Sequence, residues 1–172
     1  MKTILCTLLV LFTAFGVSAA TYDKLVSSLV IKVSDISASG SISVEISNTS
    51  KEPIRLWRDS SSLGAARWRV VRIRNGRLET FFQNPNQRFT RNSAVPVELA
   101  GGAHTQQKLD LNGGNWCGFG HCAEYNERGF GGQQVSFEPN DIVVVTYDVP
   151  RTDEAVKFRV WYGVVTAYKT VQ

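Results

Sequence analysis

The sequence predicts an all-β protein, an antiparallel β-sandwich of about eight or nine strands. Three observations predict it. Short β-branched and aromatic runs recur along the chain after residue 24. Asn-Gly, Gly-Gly and Pro turn signals separate them at close intervals. No amphipathic helical repeat appears after the first twenty residues.

Those first twenty residues read as a targeting segment. Met1-Lys2 supplies the positive start, Ile4 to Val17 the apolar run, and Ser18-Ala19-Ala20 the small residues of a cleavage site. Residues 1–20 are therefore expected to be a cleaved signal peptide, and 21–172 a single domain. Cleavage after Ala20 leaves 152 of the 172 residues, enough for one domain with a hydrophobic core. No later apolar run approaches the roughly 18 residues needed to span a bilayer. The expected location is secreted or periplasmic, with no transmembrane segment after cleavage.

Leu25 to Val33 and Ser41 to Ser47 read as the first two strands, the second alternating cleanly between apolar and polar residues. Asn48 to Pro53 is a turn, and Ile54 to Arg58 the next strand. Trp68 to Arg74 and Arg77 to Phe82 flank Asn75-Gly76, a hairpin signal because both turn positions favour positive φ. Val70 and Val71 break the alternation, through either a bulge or burial on both sides. Val95 to Leu99 and Thr105 to Leu111 are short strands around Gly101-Gly102. Asp141 to Val149 is strongly β-branched, and Ala155 to Tyr162 and Val164 to Val171 complete the set.

Several of these turns resemble those of bacterial immunoglobulin-like sandwich domains. Asn48-Thr49-Ser50-x-x-Pro53-Ile54-x-Leu56-Trp57 is similar to an early hairpin turn of that family, and Arg69 to Leu78 to its next hairpin. Leu99-Ala100-Gly101-Gly102 followed by Lys108-Leu109-Asp110-Leu111 resembles a Leu-x-Pro-Gly segment leading to apolar-Asp-Leu, with Gly101 standing where proline is usual. Trp161 to Thr166 looks like the last strand. The likeness covers most of residues 40–170, and a proteinase-inhibitor-like sandwich family shares the same turns. It implies an immunoglobulin-like fold and assigns no site residues. Residues 112–132, rich in glycine, do not fit the pattern and look like a loop insertion.

That insertion carries the most distinctive chemistry. Cys117 and Cys122 have four residues between them, two of them glycines. In an oxidising compartment the expectation is a disulfide that ties the loop. A metal set of Cys117, His121 and Cys122 is disfavoured, since adjacent ligands rarely reach one ion; neither metal nor cofactor is expected. Trp116, Phe119, His121, Tyr125, Arg128 and Phe130 are the candidate contact residues, because tethered aromatics form binding hot spots. The plainer account is that the rings fold back over the end of the sandwich.

Charge supplies a second candidate. Nine arginines and two acids lie between Ile54 and Asn92, against nine bases and thirteen acids in the remaining mature chain. Arg67, Arg69, Arg72, Arg74 and Arg77 would form a cationic face for an anionic partner, unless their stems merely cover apolar sheet edges. Nucleic acid is not expected outside the cell. Catalysis is weakly supported: two histidines, no nucleophile signature, and loop carboxylates Glu124, Glu127, Glu138 and Asp141 whose spacing in space is undetermined. The expected function is a non-enzymatic binding module for an extracellular or envelope protein or glycan. A hydrolase (protease) inhibitor and a carbohydrate-active enzyme are the alternatives, and the oligomeric state is open. Asn48-Thr49-Ser50 also matches a glycosylation sequon.

Overall fold

A computed structural model describes residues 28–58, 61, 63–64, 66–84, 95–122, 130 and 133–172. The expected signal segment lies outside them. The described chain is all-β apart from one short helix. Its strands are β1 Leu29–Ser37, β2 Ser41–Asn48, β3 Ile54–Trp57, β4 Trp68–Arg74, β5 Arg77–Gln83 and β6 Pro96–Leu99. β7 His104–Asp110, β8 Trp116–Gly118, β9 His121–Cys122, β10 Ile142–Val149 and β11 Gly163–Thr170 follow.

They form three sheets, ordered β1-β2-β7, β11-β10-β4-β5-β8-β9 and β3-β6. Every strand pair is antiparallel. One buried cluster draws on all three sheets, from Ile42 and Val44 through Leu56 and Leu99 to Val70, Phe81, Val143 and Val145. Trp68, Tyr147 and Trp161 lie in its interior, with Trp68 and Tyr147 ring centroids 4.5 Å apart. Each such side chain contributes about 1.5–3 kcal/mol when fully buried.

Local sequence explains most of the elements. Asn75 and Gly76 both adopt positive φ, 51° and 76°, as the two-residue hairpin requires. Val70 and Val71 sit in continuous register with both neighbours, so their adjacency reflects burial from two sides rather than a bulge. The register shift falls in β1 instead, between Val33 and Asp35.

Asn48 is 1% exposed and organises the turn after β2. Its Nδ2 donates to the carbonyls of Glu52, Leu99 and Ala100, and its Oδ1 accepts from the Ser50 backbone and hydroxyl. The sequon is thus a structural turn whose amide nitrogen is enclosed.

Two regions differ from expectation: within the expected loop insertion 112–132, residues 116–118 and 121–122 pair as β8 and β9 at the edge of the largest sheet, and a helix replaces an expected late strand. Residues 155–162 contain no strand; helix α1, Asp153–Lys157, takes their place, followed by a single bridge from Val160 to Arg55. The reason is local. Thr152 caps the helix by accepting from the Ala155 amide at 3.1 Å, and Asp153 and Glu154 occupy the first turn. Those three residues lie just before the apolar run that suggested a strand.

Candidate functional site

The cysteine loop forms an edge of the largest sheet. Cys117 and Cys122 are joined by a disulfide and face each other across β8 and β9. Gly118 pairs with His121, leaving Phe119-Gly120 as a two-residue turn with φ of 52° and 77°. A phenylalanine in the left-handed region is strained. Its ring is held by edge-on contacts with Phe81 at 5.3 Å and Phe130 at 5.9 Å. Gly118 is required beneath it, since a Cβ there would stand 2.4 Å from Phe81 Cδ1. The neck is closed by Asn112, whose side chain bonds Ser39 O and both the amide and carbonyl of Val135.

This geometry corrects part of the expected contact surface. Trp116 and Phe130 are each 3% exposed and belong to the core. Both rings gain more from burial in the core, Phe130 with its centroid 5.9 Å from that of Phe81, than from facing water. Phe119, 41% exposed, and His121 remain at the surface. Tyr125 and Arg128 lie outside the described residues, as do Glu124 and Glu127.

The arginines of β4 and β5 do not form one face either, because successive side chains of a strand point to opposite sides. Arg72 is buried, paired with Glu79 and bonded to Ser136 O, with its guanidinium 5.9 Å from the Phe81 ring centroid. Arg74 binds Asp141 through two bonds of 2.8 and 2.6 Å and also reaches Glu138. The hydrogen bonding that Arg74 donates to the Asp141 carboxylate raises the Arg74 pKa. Reciprocally, the Arg74 hydrogen bond holds the Asp141 carboxyl below its ordinary value, against the opposing effect of burial. Asp141 and Glu138 are therefore committed to an ion-pair network. Such an Asp141 is poorly suited to act as an acid catalyst, which needs a raised pKa. Arg67 is half-buried, donates to Leu63 O, and has its pKa lowered by desolvation. Arg69 and Arg77 stay exposed.

The opposite face of β11-β10-β4-β5 was not anticipated. Register places its outward side chains in cross-strand rows. Thr170, Ile142, Ile73 and Leu78 form one, and Tyr168, Val144, Val71 and Thr80 the next. A third runs Thr166, Thr146, Arg69, Phe82 and on to Cys117 and Cys122. Val164 and Asp148 close the end. Tyr168 is 76% exposed, Leu78 69%, Val164 57% and Phe82 42%. Only Arg69 and Asp148 are charged in these rows.

A cleft of about 500 Å³ opens at the same strand ends, lined by Arg67, Arg69, Thr80, Phe82, Gln83 and Asp148 among others. Trp68 Nε1 and Gln83 Oε1, in two lining residues, are buried polar atoms without a hydrogen-bond partner. The signal for this face was present in the near-continuous apolar run Ile142 to Val145. Such a run marks a strand that is apolar on both sides.

Among the described residues no group of three or more His, Cys, Asp or Glu side chains is arranged to hold a metal ion, and no helix is long and apolar enough to cross a membrane. Comparison with protein-family models, curated proteins and solved structures returns no significant match.

Proposed function

We propose that this protein is a non-enzymatic, extracytoplasmic binding module that docks a partner protein on the outer face of β11-β10-β4-β5. The disulfide-pinned hairpin would form one edge of that surface. The observation that carries the reading is the composition of the face: broad, strongly exposed at Tyr168, Leu78 and Val164, and nearly free of charge. The solvated side of an antiparallel sheet is ordinarily polar, and contiguous exposed apolar surface marks an interaction site.

Four strands about 4.8 Å apart and eight residues rising about 3.3 Å each give a footprint of roughly 500 Å². That is at the small end of protein interfaces and suits a transient partner. A protein is favoured over a glycan because the two exposed rings, Tyr168 and Phe82, stand three strands apart and in different rows. They make no continuous stacking platform. The cleft beside Phe82 offers a socket for an anchoring side chain.

The extracytoplasmic location rests on the apolar segment 4–17 and agrees with the disulfide. We also infer that the sheets pack as an immunoglobulin-like sandwich, a reading supported by the shared core and the turn at Asn48. An inhibitor loop entering an enzyme cleft gains less support, since Phe119 packs back on Phe81 and Phe130.

The test uses the oxidised mature protein as bait in the extracellular fraction of its source, followed by affinity measurement with the captured partner. The double variant Leu78→Asp/Tyr168→Asp is expected to weaken binding about 100-fold or more, the effect of two hot-spot side chains, with its melting temperature little changed. Undiminished affinity of this folded variant would overturn the proposal.

A further inference from the structure

A second cavity lies where α1 meets β3. It measures about 350 Å³, within the range of small-molecule sites. Ile54, Ala155, Val160 and Trp161 line it and are all nearly fully buried. Arg55, Arg151 and Arg159 line it too, and all three are exposed. No acidic residue is among its described lining residues.

Each arginine is positioned by local structure. Arg55 donates to Phe158 O at 3.4 Å, and its backbone carbonyl accepts from Trp161 at 2.8 Å. Its ion pair with Glu98 is long, 3.7 Å, with both side chains about half exposed. Such a pair contributes little and leaves the guanidinium available to a better partner. Arg151 lies over the Tyr162 ring, 5.7 Å from its centroid, which orients the planar head. Arg159 occupies the left-handed region at φ 54°, a conformation that costs a non-glycine residue free energy. Its amide bonds Val156 O, so the turn ending α1 enforces that geometry.

Three guanidinium groups line this cavity with no carboxylate among its described lining residues, and their fork geometry suits an oxyanion. We propose that this cavity binds a small amphiphilic anion, a carboxylate or phosphate group on an apolar body. The arginines would hold the head group, and the accessible lining surface of Pro53, Val156 and Tyr162, over a floor of Ile54, Val160 and Trp161, would receive the body. The site is independent of the outer sheet face, so either proposal can fail alone.

Octanoate and octyl phosphate serve as probes, with octanol, octylammonium and inorganic phosphate as controls. Binding is read by calorimetry and by the rise in melting temperature that a native-state ligand produces. Either octyl anion should bind at least tenfold more tightly than octanol and than inorganic phosphate. The tighter of the two identifies the head group. Octylammonium should not stabilise the protein.

Arg159→Gly is the decisive variant. It relieves the backbone strain, so its melting temperature should equal or exceed that of the wild type, while octyl-anion affinity falls tenfold or more. Arg151→Ala should also weaken the anion and leave octanol unaffected. Equal binding of octanol and the octyl anions, or unchanged anion affinity in a folded Arg159→Gly protein, would overturn the proposal.

Discussion

Replacing Asp141 by asparagine tests the ion-pair network that joins β4 to the turn before β10. Asp141 is 2% exposed and accepts two bonds from Arg74, at Oδ1 and Oδ2, plus the Glu138 amide at 2.9 Å. The asparagine side chain keeps one acceptor and turns an NH₂ group toward the guanidinium, donor against donor. Breaking a fully buried pair costs about 3–5 kcal/mol. Arg74 retains Glu138 and Ser136 O and is 23% exposed. The expected loss for D141N is therefore smaller, about 2–3 kcal/mol at pH 7, or roughly 5–10 °C in melting temperature for a domain of this size.

The loss should also depend on pH with a definite sign. The folded carboxyl titrates below its ordinary value because Arg74 hydrogen-bonds its charged form. Its stabilisation is present in full above the unfolded-chain value of about 3.9 and is lost as pH falls through the lower folded value. The variant has no such titration. The gap between the two proteins should be constant from pH 7 to about 5 and narrow below about pH 4. Urea unfolding at pH 7, 5 and 3, extrapolated linearly to water, reads it directly. A gap under about 1 kcal/mol at pH 7, or one that stays level or widens at pH 3, would refute the reasoning.

Further outcomes concern the Asn48 turn and the disulfide-tied hairpin. Asn48→Ala removes the donor to three carbonyls and the acceptor for Ser50, and should destabilise the protein by about 3 kcal/mol in chemical denaturation. Expression in a glycosylating host should leave the intact mass free of an Asn48-linked glycan, since that side chain is enclosed. Gly118→Ala should cost about 1–3 kcal/mol, because the buried Phe81 ring has no room to retreat. Gly120→Ala meets no atom within 4 Å and bears only the strain of its φ of 77°. Its cost should be near 1 kcal/mol, and a larger effect than that of Gly118→Ala in thermal melts would count against the packing described for the hairpin.

Much of the fold was legible because it rests on local rules. The alternation in Ser41 to Ser47 and the Asn75-Gly76 turn depend only on neighbouring residues, and β2, β4 and β5 appear where those rules place them. Helix α1 was missed because capping by Thr152 outweighs the β-like composition that follows it. The candidate sites were less legible. Phe119 and Trp116 are three residues apart and equally aromatic. Only the tertiary fold decides that Trp116 is enclosed in the core while Phe119, set edge-on against Phe81 and Phe130, is left 41% exposed.

Arg69 and Arg72 likewise differ by their side of the strand and by Glu79 across the register, not by their chemistry. Arg55, Arg151 and Arg159 show the converse. The last two belong to the part of the chain with excess acid, yet all three line one cavity.

The sequence by itself determined the β class, most strand positions, the two-residue Asn75-Gly76 hairpin and the pairing of Cys117 with Cys122. Backbone preference, side-chain alternation and short-range loop closure act over a few residues and can be read along a line. Tertiary structure decided which aromatics are enclosed, which arginines are neutralised, and which apolar side chains face solvent on β11-β10-β4-β5. Burial and charge pairing depend on partners brought together across the whole chain, and linear spacing carries no record of them.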